Sequence, residues 1–275
     1  MKNRDTKPEG DPMELADPDV FTLFQIIKNT VIKLKDKTAI ILWSSFVLLT
    51  LWGKKGSAEL IFPEKWRASL FPNLVWRDQL VSFVTGFVLL VVIPCGIIKF
   101  RFKERLSDYG LGWPKERVKL GLLALLVTLA IVLPFFWLGS LNSEMQKEYP
   151  LFGKEAINAW GPFIIYELVY FLFFVTIEFI FRGYLLFGLY GIKDLEALRG
   201  VKGIKGPLVF GLYAILIQML AYTMWHIYKP IPEYFGAIFW GVGVAAIALK
   251  IRSIWPIIIS HWLLNVFLDI LLWTK

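Results

Sequence analysis

Residues 161–189 read GPFIIYELVYFLFFVTIEFIFRGYLLFGL, and Glu167, Glu178 and Arg182 are the only charged side chains in the stretch. About 20 apolar residues suffice for a helix to cross a bilayer. This run is longer, so its helix is expected to tilt or protrude. Six further apolar runs surround it, at about 38–52, 79–98, 120–139, 207–227, 233–249 and 254–273. Together they predict an all-α, polytopic transmembrane helical bundle of about seven spans. The first run is short, and the amphipathic residues before it extend it.

Composition points the same way. Hydrophobic residues make up 57% of the chain and aromatics 16%, against roughly 45–50% apolar content in a soluble domain. The net charge of +8 does not mark a nucleic-acid partner, because the basic residues sit between apolar runs, where they set topology. With the N-terminus in the cytoplasm and alternating spans, cytoplasmic segments hold 20 lysines and arginines and external segments hold 9. That asymmetry predicts a cytoplasmic N-terminus and an external C-terminus, in the plasma membrane if the cell is prokaryotic.

Residues 1–17 are polar and contain Pro8 and Pro12, as expected of a disordered tail without a signal peptide. In residues 18–37, Phe21, Phe24, Ile27 and Val31 recur at helical spacing beside Lys28, Lys33, Lys35 and Lys37. This predicts an amphipathic helix on the bilayer surface, followed by a membrane-embedded domain over 38–275. Cys95 is the one cysteine, which leaves neither an internal disulfide nor a cysteine metal cluster.

Ionisable groups at membrane depth are costly and mark function by default. Glu178 and Arg182 are four residues apart on one helix face, followed by Gly183, which permits close helix contact. The pair is either a structural ion pair or part of a site. The chain's two histidines also sit in apolar runs. His261 and Asn265 share a face of the last run, and Asp269 continues the stripe. An imidazole and a carboxamide there can stabilise a developing oxyanion or bridge two helices. His226 ends the fifth run. A glutamate and a histidine that meet across helices can activate water. The same groups can ligate zinc, although no His-x-x-x-His pair fixes such a geometry, so zinc is the weaker alternative to a site without a cofactor.

The order Glu178-x-x-x-Arg182-Gly183, then Tyr222-x-x-x-His226, then His261-x-x-x-Asn265 resembles the CPBP family of intramembrane proteases. That family includes the Ras-converting CAAX prenyl endoproteases and bacterial abortive-infection proteins. The resemblance covers about residues 100–270, including Ser107-Asp-Tyr-Gly-Leu-Gly and Ser253-Ile-Trp-Pro256. It implies a glutamic-type endopeptidase with no metal, acting on a membrane-anchored protein or peptide. Water would be activated by a glutamate with His226, and His261 and Asn265 would stabilise the oxyanion. Arg182 matches the arginine of the first motif.

The chain departs from the family at one position. Two adjacent glutamates usually open the first motif, and here they are Ile177-Glu178. The absent glutamate corresponds to the one usually given the base role. Adjacent helical residues point roughly 100° apart, so Glu178 does not automatically replace it. Either Glu178 takes the role, or another carboxylate does, Glu233 ranking second, or the protein is a catalytically inactive relative that binds or regulates. Glu167, three turns from Glu178, reads as a second polar contact. A transporter using these groups as a path ranks last, because no inverted halves are visible. Counted from the cytoplasmic ends, His226 lies deeper than His261. Tilt, a late start to the fifth helix or a recessed seventh would bring them together.

Overall fold

The structure, a computed structural model, describes residues 22–53, 62–70, 77–113, 117–191 and 211–273. The expected tail at 1–17 lies outside the described residues. Among those described there is no strand. The helices are α1 (Leu23–Lys33), α2 (Lys37–Gly53), α3 (Glu64–Leu70), α4 (Asp78–Phe102), α5 (Val118–Gly139), α6 (Ser143–Glu148), α7 (Trp160–Tyr190), α8 (Tyr213–Trp225), α9 (Ile231–Ile251) and α10 (Trp255–Trp273).

Helices α4, α5, α7, α9 and α10 are long and apolar enough to cross a membrane, while α2 and α8 are shorter apolar helices. These are the seven runs anticipated from sequence, and the protein is an all-helical integral membrane protein. Side chains sort by neighbour rather than by polarity, since the outer face of such a bundle meets lipid. In α5, Leu122, Leu123, Leu126 and Phe135 are exposed, and the helix rests mainly on α10. In α1, Leu23, Phe24, Ile27 and Val31 are exposed apolar residues.

The core forms around α7, which contacts α4, α8 and α10. Its second half, Phe179–Phe187, is π-helical, and all nine residues are buried. The wider i→i+5 turn alters side-chain phase immediately after Glu178, and such segments are frequent at functional sites. Gly183 sits where a Cβ would lie 2.5 Å from the Phe179 ring and 3.1 Å from the Tyr109 carbonyl oxygen. The loop carrying Tyr109 therefore packs directly on the α7 backbone.

That loop joins two of the motif segments. Gly110 has φ +80°, a left-handed conformation that glycine adopts without a Cβ penalty. Its carbonyl accepts the Ile254 amide at 2.9 Å, and the Trp255 indole donates to the Leu111 carbonyl at 3.0 Å. The Ser107–Gly112 and Ser253–Pro256 segments thus clamp together and fix the start of α10. Among the described residues the fifth helix begins late, at Tyr213 after a turn at 211–212. It ends at Trp225, so His226 stands in the turn leading into α9.

Candidate active site

The site is built on two facing stripes with a four-residue repeat, the spacing that places side chains on one helix face. On α7 these are Tyr166, Tyr170, Phe174 and Glu178. On α10, read in the opposite direction, they are Asp269, Asn265 and His261. The Tyr166 hydroxyl donates to Asp269 Oδ2 at 3.1 Å, and the Tyr170 hydroxyl donates to Asn265 Oδ1 at 3.3 Å. The Phe174 and His261 ring centroids are 4.5 Å apart. At the end of the ladder, Glu178 Oε1 lies 2.6 Å from His261 Nδ1. Glu167 lies off this stripe, where its backbone carbonyl and carboxylate accept the Trp262 indole at 3.1 and 3.0 Å.

Glu178 and Arg182 are both fully buried. Arg182 Nη1 approaches Glu178 Oε2 at 3.4 Å, and its guanidinium lies 3.9 Å from the Tyr222 ring centroid. The opposite charge and the aromatic face together compensate a cation removed from water. The Trp240 indole donates to Glu178 Oε1 at 3.1 Å, and its ring lies 4.7 Å from that of His261. The carboxylate is therefore held by groups from α7, α9 and α10.

His226 is placed differently. Its Nδ1 is 2.7 Å from the Tyr222 carbonyl, and its Nε2 is 3.7 Å from Glu233 Oε1. Burial pushes the His226 ring down to about 4, with Lys229, Arg182 and His261 acting in the same direction. Glu233 stands in the first turn of α9, beside the Tyr149 phenol, which burial first and Glu233 second push well above its ordinary value. An ion pair between Lys229 and Glu148 ties the turn before α9 to α6.

All six site residues anticipated from sequence, Glu178, Arg182, His226, Glu233, His261 and Asn265, lie in one connected region. Glu178 meets His261, a pairing that was not anticipated, and His226 meets Glu233, which their closeness in sequence favoured. Trp240, Tyr166 and Tyr170 escaped the sequence reading, because aromatic residues in apolar runs of so aromatic a chain carry no signal of their own, whereas Tyr222 entered it only as the aromatic that opens the His226 motif. The four-residue spacing of Tyr166, Tyr170, Phe174 and Glu178 was the available clue. Among the described residues, no group of three or more His, Cys, Asp or Glu is placed to hold a metal ion.

Residues 159–267 match the model of a known family, described as type II CAAX prenyl endopeptidase Rce1-like. The chain carries an Rce1-like domain. The matched segment runs from the start of α7 into α10 and contains all six residues. The family so described is one of CAAX-type endopeptidases. No curated protein and no solved structure matches the chain. Within the Rce1-like domain, Ile177 is 3% exposed and belongs to the apolar core. It offers nothing ionisable where the family resemblance leads one to expect a glutamate.

Proposed function

We propose that this protein hydrolyses a peptide bond in a membrane-associated protein or peptide, using water activated by a carboxylate–histidine pair. The observation that carries this reading is the presence of two histidines inside a membrane bundle, each facing a carboxylate and each keeping open surface. The His226 and His261 side chains are 11% and 15% exposed, whereas Glu178 and Arg182 are closed off entirely. Nδ1 of His261 is engaged by Glu178, leaving Nε2 as the ring's remaining polar atom. A ring protonated on both nitrogens donates from Nε2 to the tetrahedral oxyanion. Asn265 spends one amide proton on the His261 carbonyl at 3.0 Å and keeps a second. The reaction as written uses no metal, and turnover is expected to survive chelators.

The family makes a prenylated C-terminal motif one substrate class, with other lipid-modified or precursor peptides equally compatible. The basic-residue asymmetry supports a cytoplasmic N-terminus, which labelling of cysteines introduced on either side would test. For the reaction, purified protein in lipid nanodiscs is incubated with a quenched fluorogenic peptide library beside His226→Ala and His261→Ala. Cleavage by wild type that both variants lose supports the reading. Folded wild type that cleaves no peptide in the library counts against it. A second reading, a binding or regulatory protein on a protease fold, rests on Ile177 and predicts substrate-like binding without turnover.

A further inference from the structure

Four carboxyl side chains surround the histidines and the ladder, and they differ in what can reach them. Glu178 is fully buried and takes His261 and Trp240 on one oxygen while Arg182 faces the other. Glu167 and Asp269 are 5% and 0% exposed and are occupied by Trp262 and Tyr166. The Glu233 side chain keeps 18% of its surface open. The Tyr149 phenol stands beside it, and its Oε2 is buried without a hydrogen-bond partner, as are one oxygen each of Glu178, Glu167 and Asp269, so exposure is what sets Glu233 apart.

The tautomer of His226 follows from its neighbour. A backbone carbonyl can only accept, so the contact with the Tyr222 oxygen puts the proton on Nδ1. A neutral ring then presents a bare lone pair at Nε2. Opposite it, at 3.7 Å, stands a carboxylate oxygen, also an acceptor. That distance is too long for a direct hydrogen bond and short enough for one water to donate a proton to each. A water so bound turns its own lone pairs away from both acceptors.

We infer that Glu233, paired with His226, is the water-activating carboxylate of this chain, and that Glu178 is a positioning residue for His261. This rests on the hydrolytic reading above. One O–H bond of the water breaks and its proton passes to Glu233. The oxygen bonds to the scissile carbonyl carbon, and the carbonyl π pair moves to oxygen, where His261 donates to it. Collapse restores the carbonyl, breaks the C–N bond and returns the proton from Glu233 to the leaving nitrogen. Water is the sole co-reactant, and the products are a carboxylic acid and an amine.

Turnover of a fluorogenic peptide that the wild type cleaves is measured for Glu233→Gln, Glu233→Ala, Glu178→Gln and Glu178→Ala in nanodiscs, with and without sodium formate. Glu233→Gln is expected to lower kcat by about 10²–10⁴-fold, the range for loss of a general base, with KM and thermal midpoint near wild type. Formate is expected to restore turnover to Glu233→Ala, where the replaced side chain is partly exposed, and not to Glu178→Ala, where it is fully buried. Glu178→Gln is expected to lower kcat by a smaller factor at unchanged KM. A Glu233→Gln protein that keeps kcat within about threefold of an active wild type overturns the assignment, as does formate rescue confined to Glu178→Ala. An inactive wild type instead removes the hydrolytic reading, and this assignment falls with it.

Discussion

His261 points its Nδ1 at Glu178, 2.6 Å from Oε1, and not toward the other histidine's carboxylate. The imidazole is thereby fixed from behind, as ligating and catalytic histidines commonly are when a carboxylate orients the ring. Its free edge is directed by α10 and α7 together.

Removing one member of the Glu178–Arg182 pair leaves a buried charge without its partner. Glu178→Ala or Arg182→Ala is expected to destabilise the fold by about 3–5 kcal/mol. Replacing both, as Glu178→Gln with Arg182→Met, should cost less than the sum of the single changes. Unfolding in mixed micelles, arranged as a double-mutant cycle, measures the coupling.

The tyrosine rungs of the ladder should contribute modestly. Tyr170→Phe removes the hydroxyl that donates to Asn265, and Tyr166→Phe removes the one on Asp269. Interhelical hydrogen bonds in membranes average about 0.6 kcal/mol, with a maximum near 1.7. Each variant is expected to fall in that range, with Tyr166→Phe the more costly because it leaves a buried carboxyl group short of a donor.

Gly183→Ala tests the close approach of the Tyr109 loop to α7. The added Cβ meets a ring carbon at 2.5 Å and a backbone oxygen at 3.1 Å. Overpacking of this kind costs about 1–3 kcal/mol, and a lowered thermal midpoint is the expected result.

Acid should weaken the fold through His226. The ring's folded-state value of about 4 lies below its ordinary 6.5, so the unfolded chain binds more protons between those limits. Stability is therefore fully present above about pH 6.5 and lost as pH falls toward 4, by at most about 1.4 kcal/mol per pH unit. Glu233, Tyr222, Lys229, Arg182 and His261 face the ring from neighbouring positions. The contribution is isolated as the difference between wild type and His226→Gln in thermal midpoints from pH 7 to pH 4.5.

The helical class and the apolar runs were legible because lipid demands long uninterrupted apolar stretches. The candidate residues could be picked out because charged and imidazole groups stand out in such stretches, and the structure brings them into one region. Pairing was not legible, since it depends on how far each helix is advanced along its neighbour. His226 sits beyond the end of α8, and Glu233 follows it across a short turn, so sequence proximity already favoured their meeting. Glu178 and His261 are separated by 83 residues, and only the antiparallel register of α7 and α10 joins them. The π-helical segment after Glu178 added a phase change that a 3.6-residue period does not anticipate.

Trp240 and Tyr222 give this arrangement a seam. On one side, the hairpin of α8 and α9 carries His226 with its own carboxylate; on the other, α7 and α10 carry His261 with its own. Indole to carboxylate and guanidinium to phenol are polar and charged stitches across the join. Each histidine has its carboxylate on its own side of the seam, so the spacing between the two imidazoles is set by the stitches that cross it. On the proposed hydrolysis, the spacing that the two imidazoles must share is set by how far a two-helix hairpin is pressed home.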